Sequence, residues 1–288
     1  YPVVRLRPKA EARALRHGFP WVYADELVTD RRTSNLAPGA LAILVDGERR
    51  DLGLVTVNTN SKIIARMLDR NPEAELDQAW FEAKLARAFS LRNRLYSQPF
   101  YRLVHAEADG LPGIVIDRFG DTAVIQPNAA WAEAHLDVLV AALQAVTGVQ
   151  TVVKNATGRA RGLEGLNEEN LVLVGGVSAS IEVPMNGATY LADVTGGQKT
   201  GLFFDQRPNH AFAAGLARDA RVLDVFCHVG GFGLAALAGG AASVLAVDAS
   251  APALALAGQG ARASGFADRF TPRQGDAFEV LESLGAEG

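Results

Sequence analysis

The chain of 288 residues is 49% apolar and 21% charged, carries a formal net charge of −4 and holds a single cysteine. This composition excludes a disordered or collagen-like chain, and the length suits two or three domains, each with its own core. No apolar run approaches the roughly 20 residues that a bilayer span needs, and one cysteine makes neither an internal disulfide nor a cysteine-based metal cluster; the expectation is a metal-free cytoplasmic protein with no membrane partner.

Residues 1–71 read as short strands joined by turns. Val3–Arg7, Ala40–Val45, Gly53–Val57 and Ile63–Leu68 are apolar and β-branched, and Pro38-Gly39, Asp46-Gly47 and Asn58–Ser61 punctuate them. With one short helix at Lys9–His17, the pattern predicts a small β-barrel. Asn71-Pro72 then breaks the chain. From Asp77 to Tyr96 the apolar residues Trp80, Phe81, Leu85, Ala88 and Phe89 recur at helical spacing. Strands are expected at Arg102–Glu107, Gly113–Arg118 and Ala123–Gln126, a helix at Ala130–Val146, and strands at Thr151–Lys154 and Leu171–Val174. Residues 72–178 therefore read as an α+β domain.

Residues 179–288 change character. Ser180–Val194 reads as a hairpin turning on Asn186-Gly187. Beyond it, strand and helix alternate: Arg221–Phe226, a helix from Gly233 to Ala238, Ser243–Val247, a helix over Ala251–Ser264, and Phe270–Gln274. A strand, a glycine-rich turn, a helix and a second strand ending in an acid open a doubly wound, Rossmann-like sheet. The expected fold class is α/β plus β, in three domains spanning 1–71, 72–178 and 179–288.

The mild net charge conceals an asymmetry. Residues 1–70 carry 12 Lys/Arg against 8 Asp/Glu, residues 71–180 carry 9 against 13, and residues 181–288 carry 7 against 11. A basic module on an acidic remainder suits a polyanionic partner, although a solvated surface accounts for it equally well. Trp21 and Tyr23, at strand spacing, suit base stacking or a barrel core.

The segment Asp224-Val-Phe-Cys-His-Val-Gly-Gly-Phe-Gly233 carries the chemistry. Glycines between strand and helix let the backbone approach a ligand closely. Asp248 ends the next strand, where an acid accepts hydrogen bonds from ribose hydroxyls, and Asp276 follows the third strand, where an acid can accept from an adenine amine. Gly231-Phe-Gly-Leu-Ala-Ala236 fits a dinucleotide pattern, which keeps a nicotinamide-dependent oxidoreductase open. The acid at the end of the strand itself, Asp224, with glycines following it, favours S-adenosylmethionine.

These residues resemble the first methyltransferase motif of bacterial 23S (large-subunit) ribosomal RNA cytosine-5 methyltransferases. Val194-Thr-Gly-Gly-Gln-Lys-Thr-Gly-Leu-Phe-Phe-Asp-Gln-Arg207 is similar to the segment upstream of that motif. His105-Ala-Glu-Ala-Asp-Gly-Leu-Pro-Gly-Ile-Val-Ile-Asp-Arg-Phe-Gly120 resembles the family's middle domain, and Gly18-Phe-Pro-Trp-Val-Tyr23 the start of its RNA-binding PUA domain. The resemblance implies an S-adenosylmethionine-dependent class I methyltransferase whose partner is 23S ribosomal RNA, with an oligomer left open. By the family pattern Asp224, Gly230 and Gly231 line the methionine end of the cofactor, Asp248 the ribose and Asp276 the adenine. Phe203, Gln206, Phe226, Cys227, Phe232, Ala249 and Ala277 adjoin them, and Arg207 either pairs with the methionine carboxylate or forms a salt bridge with Asp205 or Asp219.

Cytosine C5 needs a thiolate to add at C6 before it can attack a methyl donor. The only thiol, Cys227, lies inside the cofactor turn and reads as a small buried apolar residue. In the resembled family the nucleophile and a proline-containing base-binding motif lie on later strands. The expectation is therefore a methyltransferase domain truncated at Gly288, with no catalytic residue of its own, inactive by itself. An RNA- and cofactor-binding module without catalysis is the alternative from a different class.

Overall fold

The computed structural model describes residues 1–177, 180–196 and 201–286, with the backbone alone at residues 159 and 160. Its N-terminal elements are β1 (Val3–Arg5), α1 (Ala12–Arg16), β2 (Trp21–Tyr23), α2 (Arg31–Ser34), β3 (Ala40–Val45), β4 (Asp51–Val57) and β5 (Ile63–Asp69). The strands pair in the order β1-β3-β4-β5-β2, and only β1 and β3 run parallel. A bridge between Leu6 and Leu27 joins the chain leaving β1 to the chain leaving β2, with Arg7 N–H donating to Glu26 O at 2.8 Å. That seam closes the sheet into the expected barrel, filled by Val4, Leu6, Val22, Leu27, Leu44, Val55 and Ile64. The helix expected at Lys9–His17 is shorter. Ala10 N–H turns back to Arg7 O, so the helix starts only at Ala12.

The next elements are α3 (Gln78–Leu95), β6 (Phe100–His105), β7 (Ile114–Phe119), β8 (Thr122–Pro127), α4 (Ala130–Ala134), α5 (Leu136–Thr147), β9 (Thr151–Lys154), α6 (Arg159–Leu163) and β10 (Leu171–Val174). Asp77 caps α3 by accepting from Trp80 N at 2.8 Å. The sheet order is β10-β9-β8-β7-β6, antiparallel except for β8 beside β9. Two expectations need correction. The strand expected over Arg102–Glu107 ends at His105, because a 3-10 turn over Ala106–Asp109 begins with Ala106 at φ +46°. The single helix expected over Ala130–Val146 breaks at His135, whose ring Nδ1 hydrogen-bonds Trp131 O at 2.7 Å.

Leu54 and Leu68 of the barrel belong to the same buried cluster as Phe81, Leu85, Trp131 and Leu139. Shared burial of this kind makes Tyr1–Gly175 one compact unit with two sheets. Residues 176–288 form the other, and the boundary expected at 178/179 falls on two residues outside the described ones.

The second unit contains β11 (Ile181–Met185), β12 (Ala188–Ala192), α7 (Arg207–Gly215), β13 (Arg221–Val225), α8 (Gly231–Ala238), β14 (Ser243–Asp248), α9 (Ala251–Ala263), β15 (Phe270–Gln274) and α10 (Ala277–Ala286). Asn186 and Gly187 both have positive φ, +51° and +78°, which gives the turn twist that a two-residue hairpin requires. Strands β13, β14 and β15 form a parallel sheet with β14 central. Helices α7 and α10 were not expected: the segment before β13 reads as a motif rather than a helix, and α10 follows a short acid-rich turn. No helix among the described residues is long and apolar enough to cross a membrane.

Candidate cofactor site

Parallel pairing of β13 with β14 brings Val225 opposite Val247, so the carboxyl ends of both strands open on one edge. Crevices at such edges are where open α/β sheets take ligands. Between β13 and α8 the chain adopts positive φ at three of five residues: Phe226 (+61°), His228 (+50°) and Gly230 (+82°). Two of these are not glycine, and backbone in that region costs about 1–3 kcal/mol per residue. Surrounding hydrogen bonds over-determine the turn. Cys227 N donates to Val247 O at 3.0 Å, Gly230 N to Cys227 O at 2.8 Å, and His228 N to Asp248 Oδ2 at 2.8 Å. Behind it, Tyr190 OH on β12 donates to Gly231 O at 3.2 Å.

Two cavities border the turn. One, of about 310 Å³, is walled by Phe203, Gln206, His210, Cys227, Gly231 and Phe232, among others. The second, about 440 Å³, is walled by Asp193, Gly201, Asp248, Ser250, Pro252 and Leu256, among others. Phe203, Phe226, His228 and Val229 line both. Phe226 is 71% exposed, a large ring standing on the rim. Phe203 meets His228 edge-on with centroids 5.0 Å apart.

The residues singled out in the sequence take distinct places. Asp248 lines the second cavity and is half-buried; its two oxygens accept from His228 N and Ser250 N, which leaves each with further acceptor capacity. Ala249 follows it, exposed. Asp276 is exposed, sits ahead of α10 and accepts from Phe278 N at 2.9 Å, with Ala277 buried behind it. Gln206 borders the first cavity, and Arg207 opens α7, where Asn186 Nδ2 donates to its carbonyl at 2.9 Å. Residues 197–200 of the upstream motif lie outside the described residues.

Asp224 differs from the expectation of a ligand-lining acid. It is 6% exposed, lines neither cavity, and its Oδ2 accepts from Gly233 N at 2.7 Å. A Cβ on Gly233 would lie 3.1 Å from that oxygen and 2.9 Å from Val244 Cγ1, so glycine permits the close approach. Burial pushes the Asp224 carboxyl up to about 6 against the Gly233 hydrogen bond, and the nearby Asp248 charge adds to the rise. Asp224 is the brace under the turn. Cys227 is buried, and burial, Asp224 and Asp248 together push its thiol up to about 12, so it stays protonated at neutral pH.

Several residues of the site escaped the sequence reading, His228, Val229 and His210 among them. His228 and Val229 sit among the motif's own residues, where the glycines beside them carry the signal. His210, on α7, is 4% exposed and borders the first cavity. The helix that carries it was not expected, which removed the signal.

The residues fit S-adenosylmethionine: an acid with spare acceptor capacity at the end of β14, a glycine turn, and an aromatic rim around two joined cavities. Residues 147–270 match the S-adenosylmethionine-dependent methyltransferase family, and residues 4–70 a PUA-like domain. Over 282 residues the chain is 34% identical to ribosomal RNA large subunit methyltransferase I of Alteromonas mediterranea, covering 96% of this chain and 70% of that protein. The chain belongs to the ribosomal RNA large subunit methyltransferase family. Its cofactor is S-adenosylmethionine. The enzyme of the same name from Pseudoalteromonas atlantica is 35% identical over 87% of this chain and 64% of its own length. A solved S-adenosylmethionine-dependent methyltransferase from Streptococcus mutans superposes with a TM-score of 0.84 over 100% of this chain and 74% of that one, at 20% identity, a likeness of fold. The chain thus spans roughly two thirds to three quarters of these relatives.

Proposed function

We propose that this family member acts in the cytoplasm on cytosine C5 of 23S ribosomal RNA, and that residues 1–288 supply its RNA grip and cofactor cradle. The observation that carries the reading is the strained turn Phe226–Gly230, bordered by two cavities that share four walls at the open edge of a parallel sheet. Asp248 would take the ribose hydroxyls in the second cavity. Gly230 and Gly231 would line the path of the methionine chain, with Phe203, Phe226 and Phe232 excluding water along it. The bound cofactor supplies an electrophilic methyl group on a sulfonium.

C5 methylation also needs a nucleophile at C6. Cys227 is the one cysteine in the sequence, and a buried thiol held near 12 does not add to a pyrimidine at neutral pH. On this reading the 288 residues hold cofactor and RNA, and Cys227 does not serve as the C6 nucleophile. In the barrel, Phe19 and Tyr23 are each 40% exposed, and Phe19 stands beside both Trp21 and Tyr23, a surface suited to base stacking. Trp21 itself is tied down, its indole N–H donating to Glu107 Oε1 at 2.9 Å.

Titration calorimetry on 1–288 tests the reading. S-adenosylhomocysteine should bind and NAD should not; NAD binding alone would point to an oxidoreductase. Binding to undermodified 23S ribosomal RNA should weaken steeply with salt, and methyl transfer to it should be undetectable. Turnover by 1–288 would overturn the assignment of Cys227.

A further inference from the structure

Residues 71–180 carry 9 Lys/Arg, and all but two of those with described side chains are held by a partner. Lys84 pairs with Asp69, Arg92 with Asp109, Arg102 with Asp117, and Lys154 and Arg161 with Glu133. Arg118 donates to two carbonyls. Arg87 and Arg94 are the exceptions: both are exposed, and neither makes an ion pair among the described residues. They stand two turns apart on one face of α3, about 10 Å along its axis. With Ser90 and Leu91 between them they border a cavity of about 400 Å³, which Ala108 and Asp109 of the 3-10 turn also line. Asp109 is already engaged: Arg92 takes both its oxygens at 2.6 and 2.8 Å, and His105 N donates to Oδ2 at 2.7 Å. Glu82, the one acid within α3, lies on another face and accepts from Gln78 Nε2 at 2.7 Å. The charge left in the groove is therefore positive, within a segment that holds 9 Lys/Arg against 13 Asp/Glu. The helix dipole favours cations in the last turn, which accounts for Arg92 and Arg94 but not for Arg87.

We propose that this groove on α3 is a second RNA site, in which Arg87 and Arg94 each take a backbone phosphate. The proposal rests on the RNA-binding reading above and carries the contact beyond the barrel. The 3-10 turn joins the two surfaces: its Glu107 accepts from Trp21 Nε1 at 2.9 Å, and its Ala108 and Asp109 border the groove. An RNA stacked beside Phe19 and Tyr23 thus meets the groove one short turn away, within the same compact unit. Guanidinium forks suit phosphate oxygens, and Leu91, 49% exposed, gives a ribose an apolar floor between them. Such contacts position an RNA without reading its sequence.

Binding of undermodified 23S ribosomal RNA to the 288-residue chain over a salt series tests the site. Arg87→Gln with Arg94→Gln should weaken binding about tenfold at low salt, since each exposed ion pair contributes little. The slope of log affinity against log salt should become shallower by about 1.4, at about 0.7 for each phosphate of a single strand. Arg87→Lys with Arg94→Lys keeps both charges and should restore the slope. Both positions are exposed, so denaturant midpoints should not move. Arg218→Gln with Arg262→Gln removes two exposed cations elsewhere and should leave the slope as it was. An equal change there would reduce the groove to general surface charge and overturn the site. An unchanged slope in Arg87→Gln with Arg94→Gln would also overturn it, leaving the barrel reading intact if Phe19→Ala and Tyr23→Ala weaken RNA binding. Failure of the unsubstituted chain to bind the RNA would remove both.

Discussion

In the first unit buried charge is answered by buried charge. Arg102 holds Asp117, which is fully buried, at 2.9 and 3.1 Å; Arg92 grips both oxygens of Asp109 at 2.6 and 2.8 Å; Arg66 reaches Glu107 and Glu164. Arg118 donates to the carbonyls of Gly120 and Thr147. In the second unit the polar groups around the turn are left in costly states: Asp224 buried with one amide partner, His210 Nδ1 with none, and Phe226 and His228 in left-handed backbone. The middle-domain signature is therefore architecture. A partnerless buried oxygen at Asn128 and left-handed backbone at Arg49 and Ala106 occur in the first unit too, so what sets the turn apart is that its strained residues, Phe226 and His228, line two cavities.

The sharpest way to break that contrast is Arg102→Ala. It leaves Asp117 buried without its bidentate partner, and removing one side of a buried pair costs about 3–5 kcal/mol. Denaturant unfolding should show a loss near the lower end, since Arg102 is partly exposed. A loss below about 1 kcal/mol would mean that the pair is a surface feature and the first unit is not held as described.

Asp224→Asn should act in the opposite direction. The carboxyl titrates near 4 in the unfolded chain and about 6 in the fold, so the folded protein holds the proton more tightly. Stability owed to the protonated form is present below about pH 4 and is lost as pH rises through 6. Two pKa units correspond to about 3 kcal/mol, an order-of-magnitude ceiling. An Asn oxygen still accepts from Gly233 N without burying a charge. The variant should match the unsubstituted protein near pH 4 and exceed it above pH 6.5 in the ligand-free state, by up to about that amount. A pH-independent difference would remove Asp224 from the ionised groups of the site.

Much of this was legible in the sequence because it is local. Apolar, β-branched runs between turn residues gave the barrel strands, Asn186-Gly187 gave the hairpin, and Asp224 through Gly233 with Asp248 gave the glycine turn and its acid. What was not legible depends on tertiary context. Nothing near Asp224 in sequence says that Gly233 N would turn its carboxylate inward, away from the cavities. The pairing of Arg102 with Asp117 spans a strand turn, and the shared burial of Leu54 and Leu68 with Trp131 joins residues far apart in the chain. His210 was invisible because only the packed helix α7 carries it to the wall of the first cavity.

The smallest expected effect separates ligand binding from folding most cleanly. Phe226 is 71% exposed, so replacing it forfeits little buried apolar area, and at φ +61° its Cβ is a liability that glycine removes. Phe226→Gly should therefore raise stability, by about 1 kcal/mol after the added freedom of the unfolded chain is set against the relieved strain. The same change strips an aromatic wall from both cavities, so S-adenosylhomocysteine affinity should fall severalfold in calorimetry on the more stable protein. A variant that is both less stable and equally good at binding would mean that the ring serves the fold. Opposite signs for stability and affinity are expected only if the turn holds its strain for the ligand.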